Sequence, residues 1–183
     1  MFLKLIQDVL NDGRNVIVMV PEISLTPQTI NIFRSYFGDD VAVFHSGLSI
    51  GERMDEWKRV KRGEAHVAVG TRSAVFAPFE NIGMIIMDEE QEHTYKSESS
   101  PRYNAREVAG FRCAYNKGVL LLASATPSVE TFAAAVKEKY QLCTLKNRYG
   151  KSALPKVKVA DILGEHSAGY SSSISRVLKG ELQ

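Results

Sequence analysis

The chain has 183 residues, 44% hydrophobic and 24% charged, the make-up of one domain with a core of its own, or of a domain plus a tail. A net charge of +2 excludes a global polyanion-binding surface, so any nucleic-acid contact must be local or lie on another polypeptide. Two well-separated cysteines, Cys113 and Cys143, exclude a disulfide framework or a cysteine metal site and suit a reducing, cytoplasmic setting. No apolar run approaches the roughly 18–20 residues of a membrane span.

Phe2, Leu3, Ile6, Val9 and Leu10 fit one face of a helix that Gly13 stops. Lys4, Gln7 and Asp8 break the apolar run, and no small-residue cleavage site follows, so this is not a signal peptide. Asn15–Val20 reads as a buried strand. Leu25–Phe37 reads as a helix, capped by Thr26 with Pro27 in its first turn. Val41–Phe44 is a short strand. Ser49 caps a helix to about Lys61, with Glu52 completing a capping box. Ala65–Val69 and Ile82–Met87 are strands, Ala105–Asn116 a helix, Val119–Ala123 a strand and Ser128–Glu138 a helix. Near-continuous apolar strands alternating with amphipathic helices give an α/β class with a parallel sheet. From about Lys146 the chain turns basic (Lys146, Arg148, Lys151, Lys156, Lys158) and then polar through Ser167–Ser173. Lys156–Ile162 is expected to add a strand, and Ser175–Leu182 to begin a helix. The division expected is residues 1–145 as a partial motor domain and 146–183 as linker and the start of a next segment.

Four strand ends carry the polar residues. In a doubly wound sheet, ligands bind outside the carboxyl ends of the strands. After the first strand comes Pro21-Glu22-Ile23-Ser24-Leu25-Thr26, and after the third Gly70-Thr71-Arg72-Ser73. Met84–Met87 runs into Asp88-Glu89-Glu90-Gln91, and the last strand into Ser124-Ala125-Thr126-Pro127. Each has a plain alternative: a solvated acidic turn, a capping turn, a helix cap. Together on one sheet edge, they suit phosphate chemistry. An aspartate at the end of a buried strand can hold a metal-bound water shell, and the next glutamate can orient or deprotonate a nucleophile.

The segments V-M-V-P-E-I-S-L-T-P-Q, H-S-G-L-S, V-G-T-R-S-A-V-F-A-P-F, I-I-M-D-E-E-Q-E-H-T-Y-K, R-Y-N-A-R-E and A-S-A-T-P-S resemble the first RecA-like motor domain of a superfamily 2 helicase. Within that superfamily they are similar to the replication-restart helicase family, primosomal protein N′. The resemblance spans about Asn15–Leu145 and implies an ATP-dependent 3′→5′ DNA helicase acting on single-stranded and forked DNA, with primosome and single-strand-binding proteins as partners. It implies Asp88 and Glu89 as the pair that serves Mg²⁺ and water, with Glu90 and Gln91 completing the catalytic box. Ser124 and Thr126 join Asp88 and Glu89 at the nucleotide. Pro21, Glu22, Leu25 and Thr26, then Gly70, Thr71, Arg72 and Ser73, are the strand-tracking motifs. Tyr95, Lys96, Arg102, Tyr103 and Arg106 fall in an aromatic-rich loop suited to stacking on bases and pairing with phosphates. The plain alternative for Tyr103 is a ring packed at a helix start.

Some features depart from that family. Gln91 stands where it usually has His; glutamine keeps a donor and an acceptor but does not titrate near neutrality. Ser-Pro-Arg-Tyr stands where a further Trp is expected. No G-x-x-x-x-G-K-[ST] occurs in the chain, so the loop that cradles the β- and γ-phosphates is missing from it. The family's zinc module has no counterpart here either, so its zinc belongs outside this chain. The expectation is a fragment of such a helicase, inactive alone. The phosphate-loop strand would flank Val119–Ala123, which is expected to present open backbone groups and to lead to self-association or a rearranged sheet. A non-catalytic nucleic-acid or protein interaction domain on the same scaffold, and a non-functional remnant, are the other readings.

Overall fold

The computed structural model describes residues 2–145 and 157–182. The basic residues Lys146, Arg148, Lys151 and Lys156 lie outside the described residues. The chain divides into two compact units, Met1–Leu142 and Cys143–Gln183, each taken by itself below.

The first unit runs α1 (Phe2–Asn11), β1 (Asn15–Met19), α2 (Pro27–Phe37), β2 (Val41–Phe44), α3 (Ile50–Lys61), β3 (Val67–Gly70), β4 (Ile82–Met87), α4 (Ala105–Asn116), β5 (Val119–Leu122) and α5 (Val129–Val136). Its local signals work as the residues suggest. Thr26 caps α2 by accepting from the Thr29 amide, Ser49 and Glu52 close a full capping box on α3, and Ser128 caps α5. All five strands are parallel, in the order β2-β3-β1-β4-β5. The third strand runs from Val67, two residues later than its apolar run suggests, although His66 already bonds to both sides, its amide donating to the Asp40 carbonyl and its carbonyl accepting from the Val16 amide.

Alternate residues face opposite sides of the sheet, and both sides are covered. Val16, Val18, Val43, Val67, Val69 and Ile86 pack with Ile6 of α1 and Phe33 of α2. Ile17, Met19, Phe44, Ala68, Ile85 and Met87 pack with Val60 of α3 and with Ala105, Ala109 and Cys113 of α4. Gly70 is required where β3 ends: a Cβ there would stand 2.1 Å from the Phe44 carbonyl oxygen, so no other residue fits without moving β2. The sheet keeps parallel α/β order with β5 at one margin, so the rearrangement expected from the sequence does not occur.

The second unit contains α6 (Ile162–Ser167) and α7 (Arg176–Glu181), capped by Asp161 and Ser175. The strand expected over Lys156–Ile162 is corrected. Lys156 is outside the described residues, Val157–Asp161 form no strand, and Ile162 begins a helix. Val157 and Val159 are solvent-exposed, and no strand among the described residues of this unit offers them a ladder. No helix among the described residues is long and apolar enough to cross a membrane.

Candidate functional site

The carboxyl ends of β1, β3, β4 and β5 carry the polar loops. At the end of β4 the chain turns sharply. The Asp88 amide donates to the Met19 carbonyl at 2.9 Å, which extends the ladder one residue. Glu89 then sits at φ 47°, a left-handed conformation that non-glycine residues rarely adopt, and donates its amide to Asp88 Oδ1 at 3.1 Å. This turn places Asp88 and Glu89, both half-buried, beside the end of β5. Burial pushes the Asp88 carboxyl above the usual aspartate range; the Glu89 amide pulls it down and the Glu89 charge adds to the rise.

Gln91 joins this turn to the loop after β5. Its Nε2 donates to Glu89 Oε2 at 2.8 Å, and its Oε1 accepts from Ser124 Oγ at 2.6 Å. Ser124 Oγ in turn accepts from the Thr126 amide at 2.8 Å. The structure thus aligns Glu89, Gln91, Ser124 and Thr126 in one hydrogen-bonded chain, using both functions that glutamine retains relative to a histidine.

A groove of about 570 Å³ opens over the ends of β1, β2 and β3. It is lined by Glu22, Thr71, Arg72 and Ser73 from the two expected tracking motifs and by Tyr95, Lys96 and Tyr103 from the expected aromatic loop. His45, Ser46, Arg53 and Glu98 line it too; H-S-G-L-S was the signal for the first two, but their role could not be read from the sequence. The lining carries Arg53, Arg72 and Lys96 against Glu22 and Glu98, a local cationic excess on a chain with little net charge. Arg72 donates to the Thr94 and Lys96 carbonyls at 3.1 and 2.6 Å and lies 5.7 Å from the centre of the Tyr103 ring. The half-buried Tyr103 ring packs edge-on against Phe76, at 5.0 Å between centres. It therefore both packs at the start of α4 and faces the groove.

Other expected site residues sit elsewhere. Pro21 is buried, Leu25 packs into the core, Thr26 caps α2, Gly70 closes β3, and Arg102 is exposed outside the groove lining. Three assignments are corrected by burial. Tyr95 touches the groove but is 3% exposed, and its hydroxyl donates to the Asp88 carbonyl at 2.7 Å, so its ring is core and not a stacking platform. Burial pushes its phenol well above the ordinary tyrosine range. Arg106 turns inward: its Nη1 donates to Thr131 Oγ1 at 2.6 Å and reaches Glu90 Oε2 at 3.4 Å. Glu90 is buried, its carboxylate taken up by donors from Arg106 on α4 and from Ser128 and Thr131 at the start of α5. The sequence placed Ser128 only at the start of a helix and missed Thr131, because their shared partner lies across the fold.

No group of three or more His, Cys, Asp or Glu among the described residues is arranged to hold a metal by itself. Mg²⁺ does not need one: it binds through one or two carboxylates together with substrate phosphates and waters. One half-buried aspartate at a strand end, with its neighbour glutamate beside it, fits Mg²⁺ brought in by a nucleotide.

The DEAD/DEAH box helicase family matches residues 1–135, from α1 through α5. The chain belongs to that family. It is 48% identical over 182 residues to replication restart protein PriA of Bacillus subtilis, covering all of this chain and 23% of that protein. It is 40% identical over 190 residues to PriA of Synechocystis, again over all of this chain and 23% of the relative. To PriA of Treponema pallidum it is 42% identical over 164 residues, covering 90% of this chain and 25% of that protein. The chain therefore spans about a quarter of the length of these relatives.

Proposed function

We propose that the chain is part of an ATP-dependent 3′→5′ DNA helicase that acts in replication restart, reloading the replication machinery at stalled forks. The observation that carries this reading is the chain of contacts from Glu89 through Gln91 to Ser124 and Thr126, beside a cationic groove on the same sheet edge. Its likeness to proteins named for replication restart supplies the biological setting. Bound Mg²⁺-ATP supplies the phosphoryl group and the positive charge that offsets Asp88. Asp88 holds the metal side, and Glu89 orients the attacking water and takes its proton. Gln91 keeps one Glu89 oxygen in a fixed direction and ties it to the Ser124 loop. Arg72, Ser73 and Lys96 meet the phosphates of a single strand, and Tyr103 offers a ring to its bases. Single-stranded and forked DNA are the substrates, with primosome and single-strand-binding proteins as partners; residues 1–145 are the motor portion and 146–183 the link to the next segment.

With no phosphate loop in its sequence, this chain alone turns over no ATP and associates with itself through the open margin at β5. Size-exclusion with light scattering tests the second point, and a stable monomer would reject it. The function itself is tested by DNA-stimulated ATP hydrolysis, comparing this chain with a polypeptide extended in both directions. Activity only in the longer form is expected. Glu89→Gln in that form should cut hydrolysis about 100-fold or more while nucleotide still binds; near-normal turnover would remove Glu89 from its role. Partial duplexes with 3′ or 5′ single-stranded tails decide the direction of travel.

A further inference from the structure

Glu90 is the most completely enclosed charged group in the described core. Its side chain is 1% exposed, yet it accepts from four donors on two helices. Oε1 takes the Ser128 amide at 2.7 Å. Oε2 takes Ser128 Oγ at 3.2 Å, Thr131 Oγ1 at 2.9 Å and Arg106 Nη1 at 3.4 Å. A carboxylate at the first turn of α5 also meets the positive end of that helix. Its own backbone is equally committed: the Glu90 amide donates to the Ala123 carbonyl at 3.0 Å. One residue thus clasps the 124–127 loop at both ends, through its amide where β5 stops and through its carboxylate where α5 starts.

The third tie leads to the groove. Arg106 lies in the first turn of α4, just past Tyr103, whose ring packs on Phe76 and whose carbonyl accepts from the Ser97 amide at 2.7 Å. Arg106 also donates to Thr131, so α4 and α5 meet on the same carboxylate from both sides. A buried charge satisfied by several partners resists the exchange of any one of them, because each would be left unpaired in a dry interior.

We propose that Glu90 is a positioning residue that fixes the Ser124–Thr126 loop against Glu89 and ties both to the wall of the groove. It transfers no proton; it makes the acidic turn, the first turn of α5 and the first turn of α4 one rigid body. In Glu90→Gln an amide nitrogen replaces one acceptor among the donors, so the three pieces separate while the strands stay paired.

The structural arm of the test is hydrogen exchange by mass spectrometry on the full-length protein, comparing wild type, Glu90→Gln and Glu89→Gln. In Glu90→Gln, peptides covering Tyr103–Val108 and Ser128–Phe132 should both exchange at least tenfold faster, with β1 and β4 unchanged; Glu89→Gln should match wild type. Thr131→Ala removes one donor to Glu90 and the acceptor that Arg106 and Ser128 share, and keeps the carboxylate, so it reads the same junction if Glu90→Gln does not fold. Wild-type exchange in both turns, or acceleration of the α5 turn alone, would overturn the proposal and leave Glu90 a simple helix cap. The catalytic arm rests on the function proposed above: in Glu90→Gln, kcat for DNA-stimulated hydrolysis falls at least tenfold while KM for ATP stays within twofold. If KM and kcat change together, the positioning role is rejected. If the longer wild-type form itself hydrolyses no ATP, the proposed function falls and the exchange result decides the junction by itself.

Discussion

At the β2 margin of the sheet, the outward N–H of Val43 donates to Glu56 Oε2 at 3.0 Å, and the outward carbonyl of Val41 accepts from Arg59 at 3.3 Å. The two α3 side chains are paired with each other at 2.9 Å, so together they stand in for a neighbouring strand. At the β5 margin nothing comparable exists among the described residues. Ala123 pairs with Met87, and by strand alternation Leu120 and Leu122 turn their backbone groups away from β4, with no side chain answering them. Burial follows the same division: all four β2 residues are buried, whereas Val119 is 55% exposed and Leu120–Leu122 are half-buried. One margin is finished within this chain, and the other has the form of a surface that receives a strand. The acidic box and the Ser124 loop lie at the unfinished side, the groove toward the finished one.

The largest effect that would sharpen this contrast comes from cavities. Phe44→Ala at the finished margin should cost about 3–5 kcal/mol in urea denaturation, and Leu122→Ala at the open one less than half of that. Equal losses would mean that β5 is as well packed as β2. Next comes the side-chain cover: Glu56→Ala leaves the Val43 amide without its partner and Arg59 without its carboxylate, and should cost about 1–3 kcal/mol. No loss would show that water serves that margin just as well. The smallest effect is in the thiols. Cys143 is exposed, while burial on the inner face of α4 pushes the Cys113 thiol up to about 11. At pH 8 a thiol reagent should label Cys143 at once and Cys113 only on unfolding. The unfolded thiol titrates near 9 and the folded one near 11, so the unfolded state loses its proton first. Native stability should therefore fall as pH rises through that window. Prompt labelling of both would mean that α4 opens readily.

Much of the fold was legible because its signals are local. Thr26 and Ser49 each stand one residue before their helices and accept from the amide three residues on, and runs such as Asn15–Met19 can only be doubly covered strands. Asp88 and Glu89 were legible for the same reason, since an apolar run ending in acids needs no knowledge of the fold. The expected strand over Lys156–Ile162 failed because alternation in the sequence supplies no partner to pair with. Tyr95 and Arg106 were misread because a ring or a guanidinium looks the same in a sequence whether it faces DNA or a buried oxygen.

By itself, then, the sequence determined the alternating strands and helices, their caps and the acids at the end of β4, all set by spacings of a few residues. Only the tertiary structure decided which of those acids is linked to the Ser124 loop and which is enclosed. Glu90 and Ser128 are 38 residues apart, and they meet because β4 and β5 pair in one register that brings the turn after the first against the helix after the second.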